Sequence, residues 1–119
     1  SGLGKVLLSA LPEQSREFYL RQPRAAITPT TITDADALRA ELERIVARGY
    51  AIDDEESNLG VVCIAAPIRD GGGRITAAVS ISGPRAEFDA DGNMDRLTGL
   101  VRSAASDISA RLGWTGDGS

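Results

Sequence analysis

The chain has no histidine, and with it go the commonest general base and the commonest metal ligand. It has a single cysteine, which excludes an intrachain disulfide and suits a reducing compartment. No apolar run approaches the length of a membrane span and no secretory signal is visible, so a cytoplasmic protein without membrane contact is expected. A long basic run is missing too: 13 Lys and Arg stand against 17 acidic residues, a net charge of −4. Gripping a phosphate backbone needs a clustered basic footprint, so the chain itself is not expected to hold nucleic acid. The acidic stretch Asp53-Asp54-Glu55-Glu56 lacks the spaced ligands of a calcium loop, and no Cys/His set supports zinc. No metal and no cofactor are expected.

What is present fits one globular domain: 119 residues, 42% hydrophobic and 25% charged, enough for a core without staples. The stretch Gly60 to Ile81 is the most informative. Two apolar runs flank Asp70-Gly71-Gly72-Gly73, a hairpin signature. A tight turn centred on Gly71-Gly72 pairs Arg69 with Arg74, and so Cys63 with Ser80, Val61 with Ser82 and Ala65 with Ala78. Side chains alternate along a strand and paired residues share a face. One face is then Val62, Ile64, Ala66, Ile68, Ile75, Ala77, Val79 and Ile81, bulky and core-like. The other is Val61, Cys63, Ala65, Pro67, Thr76, Ala78, Ser80 and Ser82. It is small, with a thiol and hydroxyls at one end, and is the candidate floor of a ligand pocket.

Around the hairpin, Gly4 to Ala10 reads as a short helix and Pro12 opens a second one to about Gln22. Arg24 to Thr31 reads as a loop. Thr33, with acid three positions on, caps a helix that carries Leu38, Leu42, Ile45 and Val46 and stops at Gly49. Tyr50 to Asp53 is a short strand and Asp53 to Asn58 an acidic loop. A final helix from about Asp91 to Leu112 puts Leu97, Leu100, Val101, Ala104, Ala105, Ile108 and Leu112 on one stripe. Residues 1–113 form the domain and 114–119 a flexible tail. Three strands leave both sheet edges open. With the helical start and the absent initiator Met, this predicts either a fragment whose missing sequence precedes Ser1 or strands supplied by another chain.

Four stretches occur in series: Leu3-Gly4-Lys5-Val6-Leu7-Leu8-Ser9, then Arg48 to Glu56 (Arg-Gly-Tyr-Ala-Ile-Asp-Asp-Glu-Glu), then Gly60 to Ile68, then Ser80-Ile81-Ser82-Gly83-Pro84. Together, over Gly2 to about Leu112, they closely resemble the effector-binding domain of the IclR family of bacterial transcriptional regulators. The resemblance implies a GAF-like α/β (α+β) domain, an antiparallel sheet flanked by helices, truncated at its N-terminal part. It implies a sensor of a small-molecule effector, working as a homodimer or tetramer. Operator DNA would be bound only through a winged helix-turn-helix domain absent from this chain. By the family's motif positions, the effector contacts are Gly2, Leu3, Asp53, Cys63, Ser80 and Ser82. The family often has Ala where Leu3 stands, so a bulkier residue shrinks or greases the pocket. Ser57-Asn58-Leu59 also departs from common family wording.

The chemistry of these residues suits a small organic acid. Serine hydroxyls donate to a carboxylate, and the first N–H groups of a helix near Gly2 to Lys5 favour an anion. Asp53 repels a carboxylate and instead accepts from a ligand hydroxyl or hydrate, or from a pocket N–H. Plainer readings exist for each residue. Cys63 also suits a small buried hydrophobe, Ser80 and Ser82 a solvated strand face, Asp53 to Glu56 an exposed acidic turn, and Lys5 a solvated lysine. Two other functions compete: an oligomerisation module without effector, built on the apolar helix stripes, and an enzyme with Cys63 as nucleophile. The second needs an activated thiolate, and with no histidine present a non-enzyme is expected.

Overall fold

The computed structural model describes residues 2–21, 34–56 and 58–115. Its elements are α1 (Gly2–Ser9), α2 (Glu13–Leu20), α3 (Ala35–Arg48), β1 (Ala51–Asp54), β2 (Val61–Arg69), β3 (Ile75–Pro84), α4 (Arg85–Asp89) and α5 (Asn93–Arg111). The expected order of three helices, three strands and a long helix is found, with α4 as a further short helix where a connecting segment was expected. The loop at Arg24 to Thr31 and the cap at Thr33 lie outside the described residues. The cap of α3 that is described is Asp34, whose carboxylate accepts from Ala37 N at 2.8 Å. Gly49 ends α3 at φ 87°, a left-handed conformation that glycine adopts freely, and its N–H donates to Ile45 O at 2.8 Å.

The strands form one antiparallel sheet in the order β1-β2-β3, and helices cover both faces. On one face Ala51 and Ala65 meet Val6 of α1, Leu20 of α2 and Leu38, Leu42 and Ile45 of α3. On the other, Val62, Ile64, Ala66 and Ile68 meet Phe88 of α4 and Val101 and Ala105 of α5. The large side chains among these contribute about 1.5–3 kcal/mol each by leaving water. A bidentate pair from Arg39 to Glu17, at 3.1 and 2.7 Å, ties α2 to α3.

The hairpin register departs from the expected one by two residues. Cys63 pairs with Ser82, Ala65 with Ser80 and Pro67 with Ala78. Two local features add one residue each. Gly73 sits at φ 84°, which turns the connection into a three-residue loop; Asp70 N donates to Arg74 O at 2.9 Å, and the Asp70 carboxylate accepts from Gly72 N and Arg74 N. A second shift lies at Ile68/Arg69, where the pairing passes from Ile68↔Ala77 to Arg69↔Ile75. A slip of one residue would have inverted every side chain; two restore the parity. Cys63, Ser80 and Ser82 therefore share a face as expected. Ile75, beyond the second shift, does not follow: it packs against the α1/α3 cluster rather than with Val79 and Ile81. At the shift, Arg69 N donates to Ser109 Oγ at 2.9 Å, and Ser109 Oγ donates to Ala105 O at 2.8 Å.

The expected stripe on the last helix is only partly buried. Val101, Ala105 and Ser109 face the sheet, whereas Leu100, Ile108 and Leu112 are 54%, 38% and 50% exposed. The buried row follows four-residue spacing and includes a serine, which hydrophobicity alone does not select. After α5, Trp114 N donates to Ser109 O at 3.0 Å, and the Arg69 guanidinium lies 5.4 Å from the Trp114 ring centre. Residues 116–119 lie outside the described residues.

Candidate functional site

Antiparallel pairing builds two rows across the sheet on the face turned toward α1. One is Asp53, Cys63 and Ser82; its neighbour is Ala51, Ala65 and Ser80. The first presents a carboxylate, a thiol and a hydroxyl side by side. In the second, two alanines leave space and a hydroxyl stands at the end. The small side chains let α1 approach closely. A methyl group placed on Gly2 would lie 3.0 Å from Cys63 Sγ and 3.3 Å from Ala65 Cβ, so the first turn of α1 reaches the sheet only because residue 2 has no side chain.

Between that turn and the strands lies a recess of about 180 Å³, lined by Leu3, Asp53, Asn58, Val61, Cys63, Ser80 and Ser82. Five of the six candidate residues line it, and the sixth, Gly2, packs against Cys63 beside it. Val61, on the face expected to floor the pocket, also lines it, as does Asn58, which was not singled out for contact by sequence although the departure at Ser57-Asn58-Leu59 marked the segment. Asp53 is buried, Cys63 and Ser80 are half-buried, and Leu3 and Ser82 are exposed at the mouth.

Behind the recess stands a charged cluster that the sequence disguised. Lys5 and Glu56, read as a solvated lysine and part of an exposed acidic turn, are 7% and 8% exposed. Lys5 Nζ donates to Glu56 Oε2 at 2.6 Å and to Ile52 O at 2.8 Å, with Glu41 3.9 Å away. Glu56 Oε2 also accepts from Asp54 N at 3.0 Å, and Glu56 N donates to Asp53 Oδ1 at 2.8 Å. Burial pushes the Glu56 carboxyl above its ordinary range; Lys5 pulls against this, and the nearby Asp53 and Glu41 add to the rise. Helix α1 carries Lys5 inward because Lys5 follows Gly2 by three positions, on the same helix face.

A larger cavity of about 490 Å³ lies on the same side of the sheet at the hairpin end, between Val6, Ile45, Pro67 and Ile75, with Arg69 and Arg74 among its walls. It is mostly apolar and none of the candidate residues reaches it. The convergence of small polar groups marks the smaller recess. Among the described residues, no group of His, Cys, Asp and Glu is arranged to hold a metal ion, and no helix is long and apolar enough to cross a membrane.

Residues 1–110 match the family model of the bacterial transcriptional regulator IclR C-terminal region. The HTH-type transcriptional repressor AllR of Salmonella typhi is 40% identical over 114 residues, 95% of this chain and 42% of AllR. The repressor BlcR of Agobacterium tumefaciens superposes with a TM-score of 0.87 at 33% identity, over 98% of this chain and 46% of its own. The inducer-binding domain of PobR from Acinetobacter, solved as a double mutant with 3-hydroxybenzoic acid, superposes with a TM-score of 0.83 at 27% identity, over 92% of this chain and 63% of its own. The chain thus spans less than half the length of the regulators AllR and BlcR.

Proposed function

The chain belongs to the IclR family of bacterial transcriptional regulators, as part of its C-terminal domain, and from that premise we propose that the recess binds a small oxygenated organic acid as effector. The observation that carries this reading is the meeting of Leu3, Asp53, Cys63, Ser80 and Ser82 around one recess of about 180 Å³, room for an acid of a few carbons or one ring. Ser80 and Ser82 donate to the carboxylate, the first N–H groups of α1 add partial positive charge, and Asp53 accepts from a hydroxyl on the ligand. PobR with 3-hydroxybenzoic acid is a relative of the same fold that takes a ligand of this class.

In the whole regulator, the effector shifts a homodimer or tetramer between two arrangements by its differential affinity for them. Operator DNA is held by a winged helix-turn-helix domain outside this chain, in the cytoplasm, and the recess performs no covalent chemistry. Isothermal titration with pyruvate, lactate and 3-hydroxybenzoate, each beside its amide, tests the reading. An acid bound at least ~10-fold tighter than its amide is expected; acids and amides bound equally, or none bound, would overturn it. The apolar row Leu100, Ile108 and Leu112 on α5 favours a second reading, an oligomerisation surface, which is compatible with the first.

A further inference from the structure

A buried ion pair stands behind the recess. Two walls of the recess come from different elements: the first turn of α1, with Leu3, and the end of β1, with Asp53. Lys5 and Glu56 join them. Lys5 is one turn from Gly2 and reaches Ile52 O on β1 and the Glu56 carboxylate beyond it. Glu56 in turn bonds on both sides of the Asp53–Asp54 step, accepting from Asp54 N and donating its own N–H to Asp53 Oδ1. We propose that Lys5 and Glu56 are positioning residues that latch the α1 turn over Cys63 and aim the Asp53 carboxylate, so that effector affinity is set by a pair that does not line the recess.

The inference rests on reading the recess as the effector site. A buried ion pair is a poor way to gain stability, since removing two charges from water offsets most of their attraction. Burial indeed works against the Glu56 charge despite Lys5. A pair held under that cost suits a geometric role, and here its bonds to Ile52 O, Asp54 N and Asp53 Oδ1 all end on β1, the strand that brings Asp53 to the recess. The other acid near Lys5, Glu41 on α3, is shared with Arg44 and Arg48 at 3.5 and 3.4 Å. It disfavours the Glu56 charge and does not line the recess.

Cys63 is a built-in reporter, because the α1 turn covers its sulfur. In the full-length regulator, Cys63 alkylation by iodoacetamide at neutral pH is followed by peptide mass spectrometry in the parent, Lys5→Met, Glu56→Gln and the milder Glu56→Asp, with far-UV circular dichroism to confirm folding. Arg39→Met, which breaks the Glu17 bridge away from the recess, is the control for general loosening. Labelling at least ~10-fold faster in Lys5→Met and Glu56→Gln, a smaller rise in Glu56→Asp and no change in Arg39→Met support the latch. If the first two do not fold, Glu56→Asp decides. Parental labelling in the folded latch variants, or an equal rise in Arg39→Met, overturns it. This readout needs no effector, so a latch that holds beside acids that fail to bind would count against the effector reading alone.

Discussion

At the scale of single residues, the site depends on groups whose size matters as much as their chemistry. Gly2 has no side chain to crowd Cys63 Sγ, so Gly2→Ala should shift the α1 turn against the strands; we expect it to weaken binding of an acid ligand at least ~10-fold, measured by titration, while helix content is retained. Ser80→Ala and Ser82→Ala should each cost about 1.5–3 kcal/mol of binding if their hydroxyls donate to a carboxylate, and parental affinity in both would remove them from the site. Titration of Glu56 gives a third test. Its folded carboxyl lies above the ordinary 4.5 because burial disfavours its charge, so the folded state holds that proton more readily than the unfolded chain. The stability it contributes is full below 4.5 and declines as pH rises through the folded value. Glu17 behaves oppositely: the Arg39 hydrogen bonds hold it below 4.5, so its contribution is present above 4.5 and fades as pH falls through its folded value. Urea denaturation across pH should therefore show a decline above 4.5 that Glu56→Gln flattens; an unchanged profile would refute the assignment. Motif and strand parity grouped Cys63, Ser80, Ser82 and Asp53, and all four line the recess. Sequence could not name Lys5 and Glu56 as buried, because they lie 51 residues apart and charge alone points to solvent.

Among the elements, the hairpin shows how local geometry preserves the face that floors the recess. The loop and the shift at Ile68/Arg69 each add one residue, and only their sum keeps Cys63 and the serines on the α1 side. The second shift has a side-chain partner: Ser109 on α5 accepts from Arg69 N. Removing that hydroxyl strands a part-buried N–H, so Ser109→Ala is expected to cost about 1–3 kcal/mol in urea denaturation. A value near zero would mean that the N–H finds another acceptor. The periodicity of α3 announced its buried face correctly, with Leu38, Leu42 and Ile45 in the core, although Val46 of the same pattern is 64% exposed. On α5 the pattern misled more. A row of seven apolar positions is wider than one sheet contact can cover, and the sheet selected the part that continues to Ser109.

For the whole molecule, the sheet is a partition between two cores, and the recess opens on the side with smaller residues. Val62, Ile64, Ala66 and Ile68 fill the α5 side with bulk, while Ala51 and Ala65 keep the α1 side shallow. A ligand in the recess would bridge α1 and all three strands, so it should stabilise them together. At 100 times its dissociation constant, an effector is expected to add about 2.7 kcal/mol to unfolding, read as a rise in Tm of the full-length regulator. A ligand that binds by titration without raising Tm would place binding elsewhere.

Periodicity was enough to place four of the helices and the three strands, and strand alternation the shared face of Cys63, Ser80 and Ser82, which held because the register moved by an even number of residues. The register shift at Ile68/Arg69, the exposure of Leu100, and the burial of Lys5 against Glu56 involve packing between distant segments. Whether a lysine meets water or a carboxylate depends on which surface arrives opposite it, and that surface exists only once the chain has folded.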